Sequence, residues 1–195
     1  MSRNGAPPDA REQEAELIRQ VRAGRRESFR PLVERHWPRI KGLARRILRG
    51  PDLVEDICQE TFLRAFEKLA SFDNTREFAP WLAKIAVNLI GEHFRKGGQR
   101  LQLVPLDERV FPRAVPEPGE EVIGRMLLDD CLERLPVAYR IIFVLRHGLM
   151  FSYEEIAQVL DEPLGTVKVS LFRAREILKV FWAAVPTELA REGVK

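Results

Sequence analysis

The sequence predicts an all-α protein made of two small helical domains joined by a Pro/Gly-rich linker, the C-terminal one a helix-turn-helix. Three observations predict it. Apolar residues recur at spacings of three and four, rather than two, almost everywhere in the chain, which is the period of a helix with one buried face. That period breaks down where Gly97, Gly98, Pro105, Pro112, Pro116, Pro118 and Gly119 accumulate, and prolines hold such a segment extended and outside either neighbouring bundle. Ser152-Tyr-Glu-Glu155 has the capping-box spacing and is followed by the turn Asp161-Glu-Pro-Leu-Gly165 and a second helical pattern, as in two short helices around a tight turn. The expected divisions are therefore 9–96, a linker 97–119, and 120–185.

In the first domain Phe29, Val33, Trp37, Ile40, Ala44 and Ile47 share one helix face, and Pro38 marks a kink or a break between two helices. Asp52 followed by Glu55 is a capping start for a second helix running to about Ser71, with Val54, Cys58, Phe62, Ala65 and Leu69 buried. A third helix, about 78–96, buries Phe78, Leu82, Ile85 and Leu89. In the C-terminal domain the first helix turns Ile156, Ala157 and Leu160 inward. Thr166 then caps the second, whose inner face is Val167, Leu171, Ala174, Leu178 and Phe181.

Composition excludes several classes. The 195 residues include 32 Lys and Arg against 29 Asp and Glu and are 45% hydrophobic, which suits folded domains rather than a disordered polymer. No window approaches the roughly 18 uninterrupted apolar residues of a membrane span, and the first ten residues have no signal-peptide core. A cytoplasmic protein without direct membrane insertion is expected. Cys58 and Cys131, with His36, His93 and His147 far apart, form neither a disulfide framework nor a local zinc site. Without a Gly-rich phosphate loop or a G-x-S-x-G elbow, no catalytic residue, metal or cofactor is assigned.

Charge runs in blocks. From Ser28 to Gly50 seven basic residues face only Glu34; Pro51 to Asp73 holds six acids against Arg64 and Lys68; Asn74 to Arg100 returns to a net +3. A basic surface meets polyanion and an acidic one meets a basic partner, although solvated helix faces produce the same blocks. On the second helix Asp56, Glu60, Leu63 and Glu67, with Gln59 at the edge, lie outside. A leucine ringed by acids describes a docking face for a basic helix, and a singly exposed leucine is also ordinary. On the third helix the outer face carries Lys84, Val87, Asn88, Gly91, Phe94 and Arg95. Cations, an amide and a ring together hold phosphates, meet base edges and stack on unpaired bases, the alternative being a helix packed on both faces. Trp81 sits beside the buried stripe as a packing anchor. The second helix of the C-terminal pair leaves Lys168, Val169, Phe172, Arg173 and Glu176 outward, with Ser170 and Arg175 at the flanks. Lys168, Arg173 and Arg175 are candidates for phosphate or guanine edges, and Val169 for a thymine methyl.

These pieces in this order resemble the extracytoplasmic-function (ECF) group of bacterial RNA polymerase sigma factors. The resemblance is carried by Asp52-Leu-Val-Glu-Asp-Ile-Cys-Gln-Glu-Thr-Phe-Leu63, Phe78-Ala-Pro-Trp-Leu-Ala-Lys-Ile-Ala-Val-Asn-Leu89, Leu135-Pro-Val-Ala-Tyr-Arg140, and Tyr153-Glu-Glu-Ile-Ala157 continuing through Gly165-Thr-Val-Lys168 to Leu171-Phe-Arg-Ala-Arg-Glu176. It implies that Asp56, Gln59, Glu60 and Leu63 bind core RNA polymerase at the β′ clamp, with the β flap as a further contact. It implies that Trp81, Lys84, Asn88, Phe94 and Arg95 read the minus-ten element while holding a flipped base. It also implies that Thr166, Lys168, Val169, Ser170, Phe172, Arg173 and Arg175 read the minus-thirty-five element, and that an anti-sigma protein regulates the chain. The family usually has Ser and Arg where Val169 and Ser170 stand, and Asp where Glu92 stands.

The reading is thus a transcription initiation factor that directs polymerase to promoters and is not itself an enzyme. Two rivals remain at this point: a stand-alone helix-turn-helix regulator, and a magnesium-dependent DNA-processing enzyme using the carboxylates between Asp52 and Glu60.

Overall fold

The computed structural model describes residues 8–98 and 131–183, and every regular element among them is helical. In chain order these are α1 (Pro8–Arg22), a 3-10 turn (Arg26–Phe29), α2 (Arg30–Ile47), α3 (Pro51–Lys68) closed by a 3-10 turn (Leu69–Ser71), α4 (Phe78–Lys96), α5 (Val137–Phe143), α6 (Tyr153–Leu160) and α7 (Leu164–Ala183). Nearly all of the expected linker, 97–119, lies outside the described residues.

The helical period locates the core. Leu32, Ile40, Leu43, Ala44 and Ile47 of α2, Val54, Cys58, Phe62 and Ala65 of α3, and Phe78, Leu82, Ile85 and Leu89 of α4 are buried. Each such Leu, Ile or Phe contributes about 1.5–3 kcal/mol over its exposed state. Trp37 stacks on Phe62 at 5.5 Å, and Phe29 meets Phe66 edge-on at 5.2 Å. Pro38 does not break α2, which runs through it. Nor does Asp52 cap α3: Gly50, at φ +91, precedes the helix and Pro51 takes its first position. A proline is pre-organised there and has no N–H to leave unpaired, so Asp52 lies in the first turn, where its charge favours the helix dipole. Cys58 is fully buried, and desolvation, with the nearby Glu55, pushes its thiol up to about 11. It is an unreactive packing residue. Alkylation of Cys58 in native protein should proceed no faster than unfolding, as mass spectrometry of iodoacetamide-treated samples at pH 8 would show.

In the C-terminal half the capping box of α6 is complete. Glu155 N–H donates to Ser152 Oγ (3.1 Å), and Ser152 N–H to Glu155 Oε2 (2.6 Å). The turn that follows is tighter than its sequence suggests. Asp161 adopts a left-handed conformation (φ 54) at the end of α6, and α7 already begins at Leu164, with Val167 N–H bonded to Pro163 O. Thr166 is therefore inside the first turn and does not cap the helix. Between α5 and α6 the chain makes a wide turn, Val144–Gly148, closed by Leu149 N–H to Val144 O at 2.9 Å.

The two halves pack on each other. α4 lies against α6, and α2 against α5 and the wide turn, so one contiguous set of buried apolar side chains runs through both. Polar contacts cross the same boundary: Arg39 Nη2 donates to Leu149 O (3.0 Å) and lies over the Phe151 ring, Arg49 pairs with Glu133 (3.0 Å), and Lys84 with Asp161 (2.5 Å).

Candidate functional site

Three surfaces carry the candidate residues. On α3 the period sets Asp52, Asp56, Gln59, Leu63 and Glu67 in one exposed stripe, and Leu63 is 55% exposed. Glu60 stands at its edge, where it accepts from Arg64 Nε (2.7 Å). The same guanidinium donates to both oxygens of Glu92 on α4 (3.0 and 3.2 Å) and holds that carboxyl below the usual range. The extra methylene of Glu92 relative to Asp extends its reach toward this fork across the α3–α4 boundary.

The second surface lies at the start of α4. Phe72, Phe78 and Trp81 form a ring cluster with centroids 4.9–5.5 Å apart, and it roots the loop between α3 and α4. Asp73 turns that loop by accepting from Thr75 N–H (2.9 Å) and Thr75 Oγ1 (2.8 Å). Arg22 fixes the loop's entrance by donating to Leu69 O (3.0 and 2.9 Å) and Phe72 O. Between loop, α1 and α2 opens a cavity of about 250 Å³, lined by Arg11, Glu14, His36, Arg39, Asn74 and Arg76 among others. His36 is buried and bonds Glu14 at 2.8 Å. Burial by itself would raise the Glu14 carboxyl, but hydrogen bonds and charge from His36 and Arg35 outweigh it, so the pKa is lowered and the group stays an acceptor.

Periodicity missed this cavity, although one signal was available. Asp73-Asn-Thr between two phenylalanines is an Asx-turn pattern.

Of the expected minus-ten residues, Asn88 and Arg95 on α4 are exposed, while Trp81, Lys84 and Phe94 are half-buried. Val87, read as part of the outer face, is buried at 7% exposure. This helix packs against α6 as well as against α2 and α3, so it is covered from more than one side.

The third surface is α7. Lys168, Val169 (49%) and Phe172 (63%) are exposed, while Thr166, Arg173 and Arg175 are partly covered. Ser170 is buried at 4% exposure, so it packs inside the helix pair where a flanking DNA contact was expected. Val167, Leu171, Ala174 and Leu178 are buried as the period requires. His147 in the wide turn lies 4.4 Å from the Phe143 ring. Desolvation, with the charges of Arg175 and Arg146, pushes its pKa down to about 4. A depressed histidine favours the fold above its unfolded pKa near 6.5, and that contribution is lost as pH falls through about 4. The residue as a whole is exposed, so solvent screens most of the energy. An NMR titration should place the His147 midpoint well below 6.5, and Arg175→Ala should raise it.

Family models for Sigma-70 region 2 and Sigma-70 region 4 match residues 32–100 and 125–178. The ECF RNA polymerase sigma-E factor of Haemophilus influenzae is 30% identical over 178 residues, covering 84% of this chain and 92% of that protein. The ECF RNA polymerase sigma factor SigW of Bacillus subtilis is 32% identical over 178 residues, covering 83% and 92%. The chain belongs to the ECF sigma factor family. A solved structure of CnrH in complex with the cytosolic domain of CnrY superposes with a TM-score of 0.68 at 25% identity, over 89% of this chain and 99% of that one. This sigma factor is thus a transcription initiation factor that directs RNA polymerase to promoters. Its exposed stripe on α3 falls within region 2, and the α6–α7 pair falls within region 4 up to residue 178.

Proposed function

We propose that each surface performs one step of initiation. The α3 stripe, Asp56, Gln59 and Leu63 with Glu60 at its edge, docks on a basic helix of the polymerase clamp. The start of α4 takes the non-template strand of the minus-ten element. In this reading an unpaired base enters the cavity beside loop 72–77, where Asn74 offers an amide to its edge and Arg39 and Arg76 neutralise its phosphates. Trp81, Lys84, Asn88, Phe94 and Arg95 hold the neighbouring nucleotides. Binding energy offsets the unpairing, so the step needs no ATP and the protein acts by binding rather than by catalysis. The domain limits follow this division, with 9–96 serving polymerase and the minus-ten element and 120–185 the minus-thirty-five element. All of this is cytoplasmic work. CnrH is solved with a cytosolic domain of another protein, which favours an anti-sigma partner for this chain as well.

The observation that carries the DNA reading is the exposed face of α7. Lys168, Val169 and Phe172 project from a helix whose other side is buried in a capped helix pair. An apolar pair flanked by cations fits a major groove that displays thymine methyls between phosphates. Val169, where the resemblance leads one to expect Ser, shifts that face from hydrogen bonding toward methyl contact.

Transcription with purified core polymerase and fragmented genomic DNA tests the whole reading: starts should cluster downstream of one shared two-part motif, and absence of stimulation would sink it. Two probes then resolve the upstream element. Arg173→Ala should weaken its recognition by about 1–3 kcal/mol at a base contact. Equal loss on every sequence would make Arg173 a phosphate contact. Replacing thymine by uracil in that element removes only the methyl, and should weaken wild-type binding more than binding by Val169→Ser.

A further inference from the structure

The cavity beside loop 72–77 has a wall that lies outside the segment matched by the Sigma-70 region 2 model, which begins at residue 32. That wall is α1. It is fastened to both ends of the loop: Arg22 donates to Leu69 O and Phe72 O at the entrance, and Arg11 pairs with Glu77 at the exit. Of the carboxylates that line the cavity, Glu77 is thus taken by Arg11. Glu14 is anchored at one oxygen, Oε1, which accepts from His36 Nε2 (2.8 Å) and Arg35 Nη1 (3.2 Å). Both donors are themselves held, His36 edge-on against Phe78 at 5.2 Å and Arg35 by Ala10 O (3.1 Å) and Gln13 Oε1 (3.2 Å). Burial opposes the charge of Glu14, yet the bonds and charges of His36 and Arg35 keep its carboxyl below the usual range. A carboxylate accepts at about four positions on its two oxygens, so capacity remains for a donor that a ligand brings in.

The four bases differ in what they offer such a group. Adenine, cytosine and guanine each carry an exocyclic amino group, which donates; thymine carries carbonyl oxygens on either side of a single ring N–H. An ionised carboxylate accepts strongly from an amine and repels a carbonyl, and inside a cavity water relieves neither effect. We propose that Glu14 selects the captured base, its carboxylate accepting from an exocyclic amino group, so that the minus-ten position held in the cavity excludes thymine. This rests on the capture of an unpaired base proposed above. Asn74 on the loop meets the base edge, and Glu14 on α1 discriminates between bases. α1 is therefore part of the promoter reader.

A library of promoters with a randomised minus-ten element, transcribed by the holoenzyme and sequenced, reads base preference position by position. Wild type should disfavour thymine about tenfold at one position. Glu14→Gln keeps an oxygen for His36 and Arg35 and replaces the other acceptor by an amine, so it should readmit thymine there and leave the remaining positions as they were. A merely structural loss would lower transcription from all members alike. Glu16→Gln, on the exposed side of α1, should change no preference. A second test needs only the wild-type protein. On a template already unpaired across the minus-ten element, purine in place of adenine, pyrimidin-2-one in place of cytosine or hypoxanthine in place of guanine deletes the amino group at the selected position, and holoenzyme binding should weaken about tenfold. Thymine tolerated at every minus-ten position, preference unchanged in Glu14→Gln, or no loss on deleting the amine would overturn selection by Glu14. Asn74→Ala separates the two failures. If it flattens preference at one position where Glu14→Gln does not, the cavity captures a base and only the role of Glu14 falls; if preference survives both substitutions, capture at this cavity falls with it.

Discussion

Asp56→Lys combined with Leu63→Ala should abolish binding to core RNA polymerase while leaving the fold untouched. Both side chains project from the exposed stripe of α3, and Leu63 at 55% exposure contributes little to the core. Surface substitutions of this kind usually change stability by less than about 0.5 kcal/mol. Central residues of an interface behave differently, because a few anchors carry 2 kcal/mol or more apiece. Losing an apolar anchor and reversing an adjacent charge should therefore weaken association by more than about a hundredfold. Asp56 serves better than Glu60 for this purpose. Glu60 already accepts from Arg64, which also braces Glu92 of α4, so a lysine at position 60 would disturb the packing it is meant to spare. Co-elution with core enzyme on a sizing column reads binding, and helix content with urea unfolding reads the fold. Retained co-elution would remove the α3 face from the polymerase interface.

The α3 stripe was legible in the sequence because a helix with one buried face leaves its other residues in plain order: Cys58, Phe62 and Ala65 inside fix Gln59 and Leu63 outside. The same logic fails where a helix is covered twice. Val87 lies opposite the Leu82–Leu89 stripe and reads as outward, yet it is buried on a helix that packs against α6 as well as α2 and α3, and no local period encodes a neighbour as distant in sequence as α6. The burial of His36 was not legible for a related reason. An imidazole on α2 belongs in the interior only if something satisfies it, and Glu14 of α1 does so. Ser170 is small enough to enter the α7 interior without a polar cost visible in the pattern, so its position in sequence beside Val169 and Lys168 suggested a surface it does not share. The cavity was hidden for a third reason. It is a property of three segments meeting, and only the Asx turn at Asp73 is local.

Arg140 should show the opposite behaviour from the α3 face, with a large loss of stability and no direct loss of binding. Its side chain is 7% exposed, and one nitrogen donates to the carbonyls of Glu133 (2.5 Å) and Leu135 (3.1 Å) just before α5. A second nitrogen reaches Ile47 O at the end of α2 (3.4 Å). Carbonyls at chain turns and helix ends have no partner within their own segment, so a buried guanidinium with its rigid fork of donors satisfies several at once. That explains in physical terms why an arginine follows Leu135-Pro-Val-Ala-Tyr in the segment that carried part of the family resemblance. Arg140→Met retains the apolar stem and removes every donor. Each buried carbonyl left unpaired costs about 1–3 kcal/mol, offset in part by no longer burying a charge. A net loss of about 2–4 kcal/mol is expected, and for a chain of this size each kcal/mol lowers Tm by about 2–4 °C. Arg140→Lys should recover only part of it, because an ammonium on a flexible stem does not span the same three oxygens. Since Ile47 lies in the N-terminal half, the loss should register in both halves, measurable as faster hydrogen exchange at the end of α2 as well as in α5. A change confined to α5 would place the brace within the C-terminal half alone, and a stability loss under about 0.5 kcal/mol would show that water replaces the guanidinium at these carbonyls without cost.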